Sequence, residues 1–139
     1  VTKEGDVPKL PAIHEYMSTD VLILDPQMDI YEAVDALLKE KVTGAPVVDA
    51  DGNIVGFISE QDCLKVITKG DVEADVPAGV VADYMTEDVI TVTPDTDIYY
   101  VAGLFIAHGV NLVPVVFEGE IRGYIERKSL LRAIQQGLL

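Results

Sequence analysis

Laid over a copy of itself shifted by 68 residues, the chain repeats, and the repeat restricts its fold more than any other feature. Met17-Ser18-Thr19-Asp20-Val21 falls on Met85-Thr86-Glu87-Asp88-Val89, Asp25-Pro26 on Thr93-Pro94, and Asp29-Ile30-Tyr31 on Asp97-Ile98-Tyr99. Val42 falls on Val110, and Pro46-Val47-Val48 on Pro114-Val115-Val116. After Val48 the second copy is one residue shorter. At a shift of 67, Gly52, Ile54, Gly56 and Ile58 meet Gly119, Ile121, Gly123 and Ile125, and Leu64, Ile67 and Gly70 meet Leu131, Ile134 and Gly137. So many matches in one register with one gap point to a duplication. The first copy spans 11–70, an acidic linker with Pro77 and Gly79 spans 71–79, and the second copy spans 80–137. A unit of about 65–70 residues buries only a modest core alone, so two copies gain by packing on each other.

Each copy reads as βαββα, an α+β pattern. Val21 to Leu24 is a short apolar strand ended by Asp25-Pro26. Asp29 is a candidate N-cap for a helix with Ile30, Ala33, Val34, Leu37 and Leu38 at helical spacing. Gly44 and Pro46 are expected to break it. Ala45 to Val48 and Ile54 to Ile58 form a hairpin around the turn at 49–53. Ser59 then caps a helix over Glu60 to Lys69, closed by Gly70. The second copy predicts a strand near Val89 to Val92 and a helix over Asp97 to His108. Strands follow at Val113 to Phe117 and Ile121 to Ile125, and a last helix over Arg127 to Gln136. A short lead-in precedes each copy, Ile13 to Met17 and Val81 to Met85.

Composition narrows the function. The net charge of −14 argues against nucleic acid or an anionic membrane surface as a partner, since both need basic surface. The acid excess reads first as solubility. No stretch approaches the roughly 20 apolar residues of a membrane span, and polar Val1 to Pro11 is not a secretory signal. Cys63 is the single cysteine, which excludes an intramolecular disulfide and a multi-cysteine metal site. It is expected as a small, half-buried helix residue. His14 and His108 are too sparse for a metal site, and His108 suits the C-terminal end of its helix.

The pattern resembles the cystathionine β-synthase (CBS) domain family, as a tandem pair, from about Pro11 to Gln136. Three pieces carry the resemblance. They are Val81-x-x-Tyr84-Met85 (with Ile13 in the Val position of the first copy), Val42-Thr43-Gly44-Ala45-Pro46-Val47-Val48-Asp49, and Gly56-Phe57-Ile58-Ser59-Glu60-Gln61-Asp62. The resemblance implies two repeats packed through their sheets around a pseudo-two-fold axis, with two composite clefts between them. It implies an adenosine ligand such as AMP, ADP, ATP or S-adenosylmethionine, with no cofactor required. It further implies a cytoplasmic module that forms a homodimer and regulates an enzyme or transporter.

Each cleft of the family joins a Gly-x-x-[Ser/Thr]-x-x-Asp turn from one repeat to the lead-in and the segment before Pro-Val-Val of the other. In the main cleft the turn is Gly56, Phe57, Ile58, Ser59 and Asp62. Ser59 at the helix start and Asp62 one turn on face the same side. A carboxylate there can accept bonds from both ribose hydroxyls, and the helix N-terminus favours a phosphate nearby. The same pair also reads as a helix cap with its N3 acid, and both roles can hold at once. Facing them are Val110, Asn111, Leu112, Val113 and Pro114, which sandwich a purine or are ordinary core. Ala82 and Glu87 are the lead-in contacts, although a carboxylate such as Glu87 repels phosphate. The second cleft joins Tyr124, Glu126 and Ser129 to His14, Thr19, Val42, Thr43, Gly44, Ala45 and Pro46. Glu126 stands where Ser or Thr is usual and Ser129 where Asp is usual, so a ribose loses its acceptor and this cleft is expected to be empty, weak or altered. Arg127 and Lys128 either reach a phosphate there or are exposed helix charges.

A sensor module is therefore the leading expectation, and a dimerisation scaffold with no small ligand the alternative. With no nucleophile–base pair, phosphate loop or metal-ligand cluster in the sequence, an enzyme is not expected.

Overall fold

The computed structural model describes residues 11–69 and 78–138. Gly70 and the linker up to Pro77 lie outside the described residues. The rest follows the duplicated order closely. The first repeat contains α1 (Ile30–Glu40), β1 (Gly44–Val48), β2 (Ile54–Ser59) and α2 (Glu60–Lys69). The second contains α3 (Ile98–His108), β3 (Leu112–Phe117), β4 (Glu120–Glu126) and α4 (Arg127–Gln135).

Local chemistry explains the element ends. The Asp29 carboxylate accepts the Tyr31 and Glu32 N–H groups at 3.0 and 3.3 Å, and Asp97 accepts that of Tyr100 at 2.9 Å. These bonds satisfy helix donors that otherwise lack partners. α1 stops at Lys41, before the predicted breakers Gly44 and Pro46. Lys41 adopts a left-handed φ of 57° and its N–H returns to the Leu37 and Leu38 carbonyls. α3 ends the same way on Gly109, where φ of 63° is free of strain. The first hairpin turns over Asp49 to Asn53, with the Asp49 side chain accepting from Asp51 and Asn53 N–H. The second turns on Glu118 and Gly119 alone, both at positive φ, as a two-residue hairpin requires.

The predicted first strands shrink to single bridges. Leu24 pairs in parallel with Val47, and Val92 with Val115. The other edge of each sheet comes from the opposite repeat. Thr86 exchanges both backbone hydrogen bonds with Phe57 of β2, and Ser18 does so with Tyr124 of β4. The lead-ins cross over too. Ile13 and His14 donate to the Thr96 and Pro94 carbonyls, while Val81 and Ala82 donate to those of Met28 and Pro26. Each cross-repeat bond maps onto its partner under the sequence shift, which is what a pseudo-two-fold axis produces.

This exchange builds the cores. Ile13, fully buried, packs in the second core with Val92, Ile98, Val101, Phe105, Val113, Val115, Ile125 and Leu130. Val81 and Tyr84 pack in the first, together with Leu24, Ile30, Ala33, Leu37, Val47 and Ile58. Leu112 and Tyr124 of the second repeat also enter that first core. The sequence repeat and the packed unit are thus offset by one lead-in, and neither core is complete from one repeat. Among the described residues no helix is long and apolar enough to cross a membrane.

Candidate functional site

β2 delivers its last residue, Ser59, directly into α2. The Ser59 Oγ accepts the Asp62 N–H at 3.1 Å, and Asp62 Oδ2 accepts the Ser59 N–H at 3.0 Å. This reciprocal pair is a capping box. Asp62 is 6% exposed and the sole buried charged residue among the described core positions. Its other oxygen, Oδ1, meets the Lys65 Nζ at 3.0 Å. The pair leaves an oriented carboxylate at the head of α2.

That carboxylate opens on a cleft of about 330 Å³ between the repeats, inside the usual range for small-molecule sites. Seven of the residues expected for the main cleft line it: Phe57, Ser59, Asp62, Val110, Asn111, Leu112 and Pro114. Its two walls come from different repeats, α2 with its turn on one side and the approach to β3 on the other. A further backbone bond, Glu60 N–H to the Thr43 carbonyl at 2.9 Å, fixes the start of α2 against the residue that leads into β1.

Five expected residues stand elsewhere, among them Gly56, which is buried where a Cβ would strike the Met85 side chain. Ile58 and Val113 are fully buried in the cores, because alternate strand residues point away from the cleft. Ala82 is engaged through its N–H with Pro26, and exposed Glu87 does not line the cavity. Neighbours of Glu87, Thr86 and Asp88, line it instead, with Val89 and Ile90. Thr86 enters because it pairs with Phe57 across the repeats, a contact no local pattern announces. Thr43, Glu60, Gln61, His108 and Gly109 also line the cleft. His108 and Gly109 directly precede Val110, so following the chain back to the end of α3 would have found them.

The residues expected for the second cleft differ in exposure. Val42, Ala45, Pro46 and Tyr124 are buried. Thr43 lines the main cleft. A Cβ on Gly44 would strike the Phe57 ring, at 2.6 Å. Burial raises the Tyr124 phenol above its ordinary value, a hydrogen bond with Ser18 opposing and Glu126, Asp20 and Glu40 adding to the shift. Glu126 holds the N-cap position of α4 without a side-chain cap bond. His14 and Thr19 are exposed, and Ser129 is half-buried. Cys63 is half-buried; burial raises its thiol above the ordinary value, and Asp62 and Glu60 raise it further. A thiol so held is a poor nucleophile.

The comparisons with known proteins agree with this geometry. The CBS domain model matches residues 13–69 and 81–136. MJ1225, an uncharacterised protein of Methanocaldococcus jannaschii, is 30% identical over 88% of the chain, which spans 42% of that relative's length. The crystal structure of CBSX2 in complex with AMP, a protein of Arabidopsis thaliana, is 26% identical with a TM-score of 0.79, covering 92% of this chain and 98% of that one. The CBS domain pair of protein MJ0100, crystallised with 5′-methylthioadenosine and S-adenosyl-L-methionine, shares the fold at a TM-score of 0.82 and 22% identity, covering 93% of this chain and 99% of that one. The chain belongs to the CBS domain family and carries two CBS domains in tandem.

Proposed function

We propose that the chain is a regulatory module that binds an adenosine compound in the cleft between its repeats and catalyses no reaction of its own. The observation that carries this is the buried, pre-oriented Asp62 carboxylate opening on a cleft whose far wall belongs to the other repeat. A carboxylate fixed in this way can accept both hydroxyls of a ribose, while Val110 and Leu112 offer apolar surface to a base. CBSX2 bound to AMP, a relative of similar size, supports the same ligand class. Because the site joins two repeats, a ligand that fits one relative setting of them better than another shifts their equilibrium. An attached or associated enzyme or transporter would read that shift.

The helix faces favour pairing of two copies. Tyr31, Leu38, Leu64 and Ile67 are at least 61% exposed, and their repeat equivalents Tyr99, Ile106, Leu131 and Ile134 at least 57% exposed. The same four apolar positions are thus left bare on α1 and α2 and again on α3 and α4. A homodimer would cover both sets.

Isothermal titration calorimetry with adenosine, 5′-methylthioadenosine, S-adenosylmethionine, AMP, ADP and ATP tests the function. At least one should bind, and Asp62→Asn should weaken it about tenfold or more, in line with loss of a charged hydrogen-bond acceptor. The amide oxygen still accepts the Ser59 N–H, so circular dichroism should show an intact fold. Absence of binding by every compound would leave the scaffold reading, and sedimentation of the same samples reads the pairing.

A further inference from the structure

Resting on the adenosine reading above, we infer that the main cleft selects an adenosine derivative that carries no phosphate, neutral or cationic at its 5′ end. The charges on its walls lead there. Glu60, Asp62 and Asp88 all line the cleft, and among the described residues that line it none is Lys or Arg. Of these three acids, only Asp62 has a cation partner among the described residues, Lys65; Glu60 and Asp88 have none there. His108 is the one basic side chain among the described residues that line it.

Two features that commonly rescue a phosphate do not operate here. The α2 N-terminus would ordinarily attract an anion. Its first turn already holds Glu60 and Asp62, and the Ser59 N–H is taken by Asp62 itself. A divalent cation could bridge carboxylates to phosphate. Among the described residues, however, no three His, Cys, Asp or Glu side chains are grouped to hold a metal. Arg127 touches the cleft region only through its N–H on the Asn111 carbonyl, and its side chain does not line the cavity. A phosphate bearing nearly two negative charges would thus meet uncompensated carboxylates, and like charges at close range oppose binding. A neutral thioether or a sulfonium meets no such opposition.

The test is calorimetry with adenosine, 5′-methylthioadenosine, S-adenosylmethionine and AMP at low and high salt. At low salt the three phosphate-free compounds should bind roughly tenfold or more tightly than AMP, and the gap should narrow as salt screens it. Asp88→Lys should raise AMP affinity and narrow the same gap, and Glu60→Gln should do so to a smaller degree. AMP binding as tightly as adenosine at low salt would overturn the inference, and so would a gap that neither variant changes. AMP binding that depends on Arg127, lost in Arg127→Ala, would overturn it as well. If none of the four compounds binds and neither ADP nor ATP does, the adenosine reading and this one fall together; if only AMP, ADP or ATP binds, only this one falls.

Discussion

At the first strand-to-helix turn, Ser59 and Asp62 hold each other's backbone N–H groups; at the second, Glu126 occupies the cap position and makes no side-chain cap bond. The first turn of α2 is acidic, with Glu60 and Asp62, whereas α4 opens with Arg127 and Lys128 and has no acid in its first turn. Yet both helices form, at equivalent places, against equivalent strands. Burial of Leu130 and Ala133 is sufficient to seat α4, because in a folded domain an apolar face contributes more than a cap. The capping box of α2 is therefore not a requirement of this fold. It adds an oriented carboxylate to a helix that packing would have formed anyway, and that carboxylate faces a cleft.

The two helices also differ in how they pack, and here the largest effect is expected. Under the sequence shift Cys63 is equivalent to Leu130. Leu130 is 6% exposed within the second core, while Cys63 only flanks the first. Leu130→Ala should destabilise by about 2–5 kcal/mol, and Cys63→Ala by about 1 kcal/mol or less. Urea unfolding followed by circular dichroism measures both. Equal losses would mean that α2 and α4 are seated alike and that the contrast lies in the turns alone.

The glycines leading into the two turns give a smaller, sharper contrast. A Cβ on Gly123 would collide with the Ser18 carbonyl, part of a backbone bridge that holds Ser18 to Tyr124. A Cβ on Gly56 would collide chiefly with the Met85 side chain, the Thr86 carbonyl lying at 3.1 Å. Methionine can swing aside, whereas a paired backbone cannot. Gly123→Ala should therefore lower stability by about 1–3 kcal/mol, with Gly56→Ala losing less than half as much in the same unfolding assay. The reverse order would show that the first lead-in is the more yielding of the two exchanged segments.

Most of the fold could be read from the duplication, since helical spacing, Asp29, Ser59 and the hairpin turns all act within a few residues. α2 begins and ends where its sequence pattern does, and α3 ends where expected but starts one residue later, Asp97 being its cap. What could not be read was the exchange of lead-ins. Ile13 and Val81 look alike in sequence, and nothing local says that each belongs to the other's core. The site divides along the same line. Ser59, Asp62 and the Val110 to Pro114 approach are adjacent to recognisable motifs, and they line the cleft. Thr86 and Asp88 reach it only because the second lead-in crosses to β2, and Ile58 and Val113 leave it because strand alternation turns them inward.

The remaining contrast, the cap itself, can be moved. In Glu126→Ser combined with Ser129→Asp, the second turn regains the Ser-x-x-Asp pattern of the first. The surroundings favour it: Lys65, which pairs with Asp62, has Arg132 as its repeat equivalent, three residues beyond position 129. The new carboxylate would then find both the backbone N–H at the cap and a guanidinium one turn on. A gain of about 0.5–2 kcal/mol is expected from a helix cap of this kind, against a loss of similar size for Ser59→Ala, both read from urea midpoints. The same double variant asks why the two clefts differ. If the second turn lacks only its acceptor, calorimetry should show ligand stoichiometry rising from one to two per chain. If stability rises while stoichiometry stays at one, the buried Val42, Ala45 and Tyr124 close the second cleft, and the difference between the repeats lies in their packing rather than in two side chains.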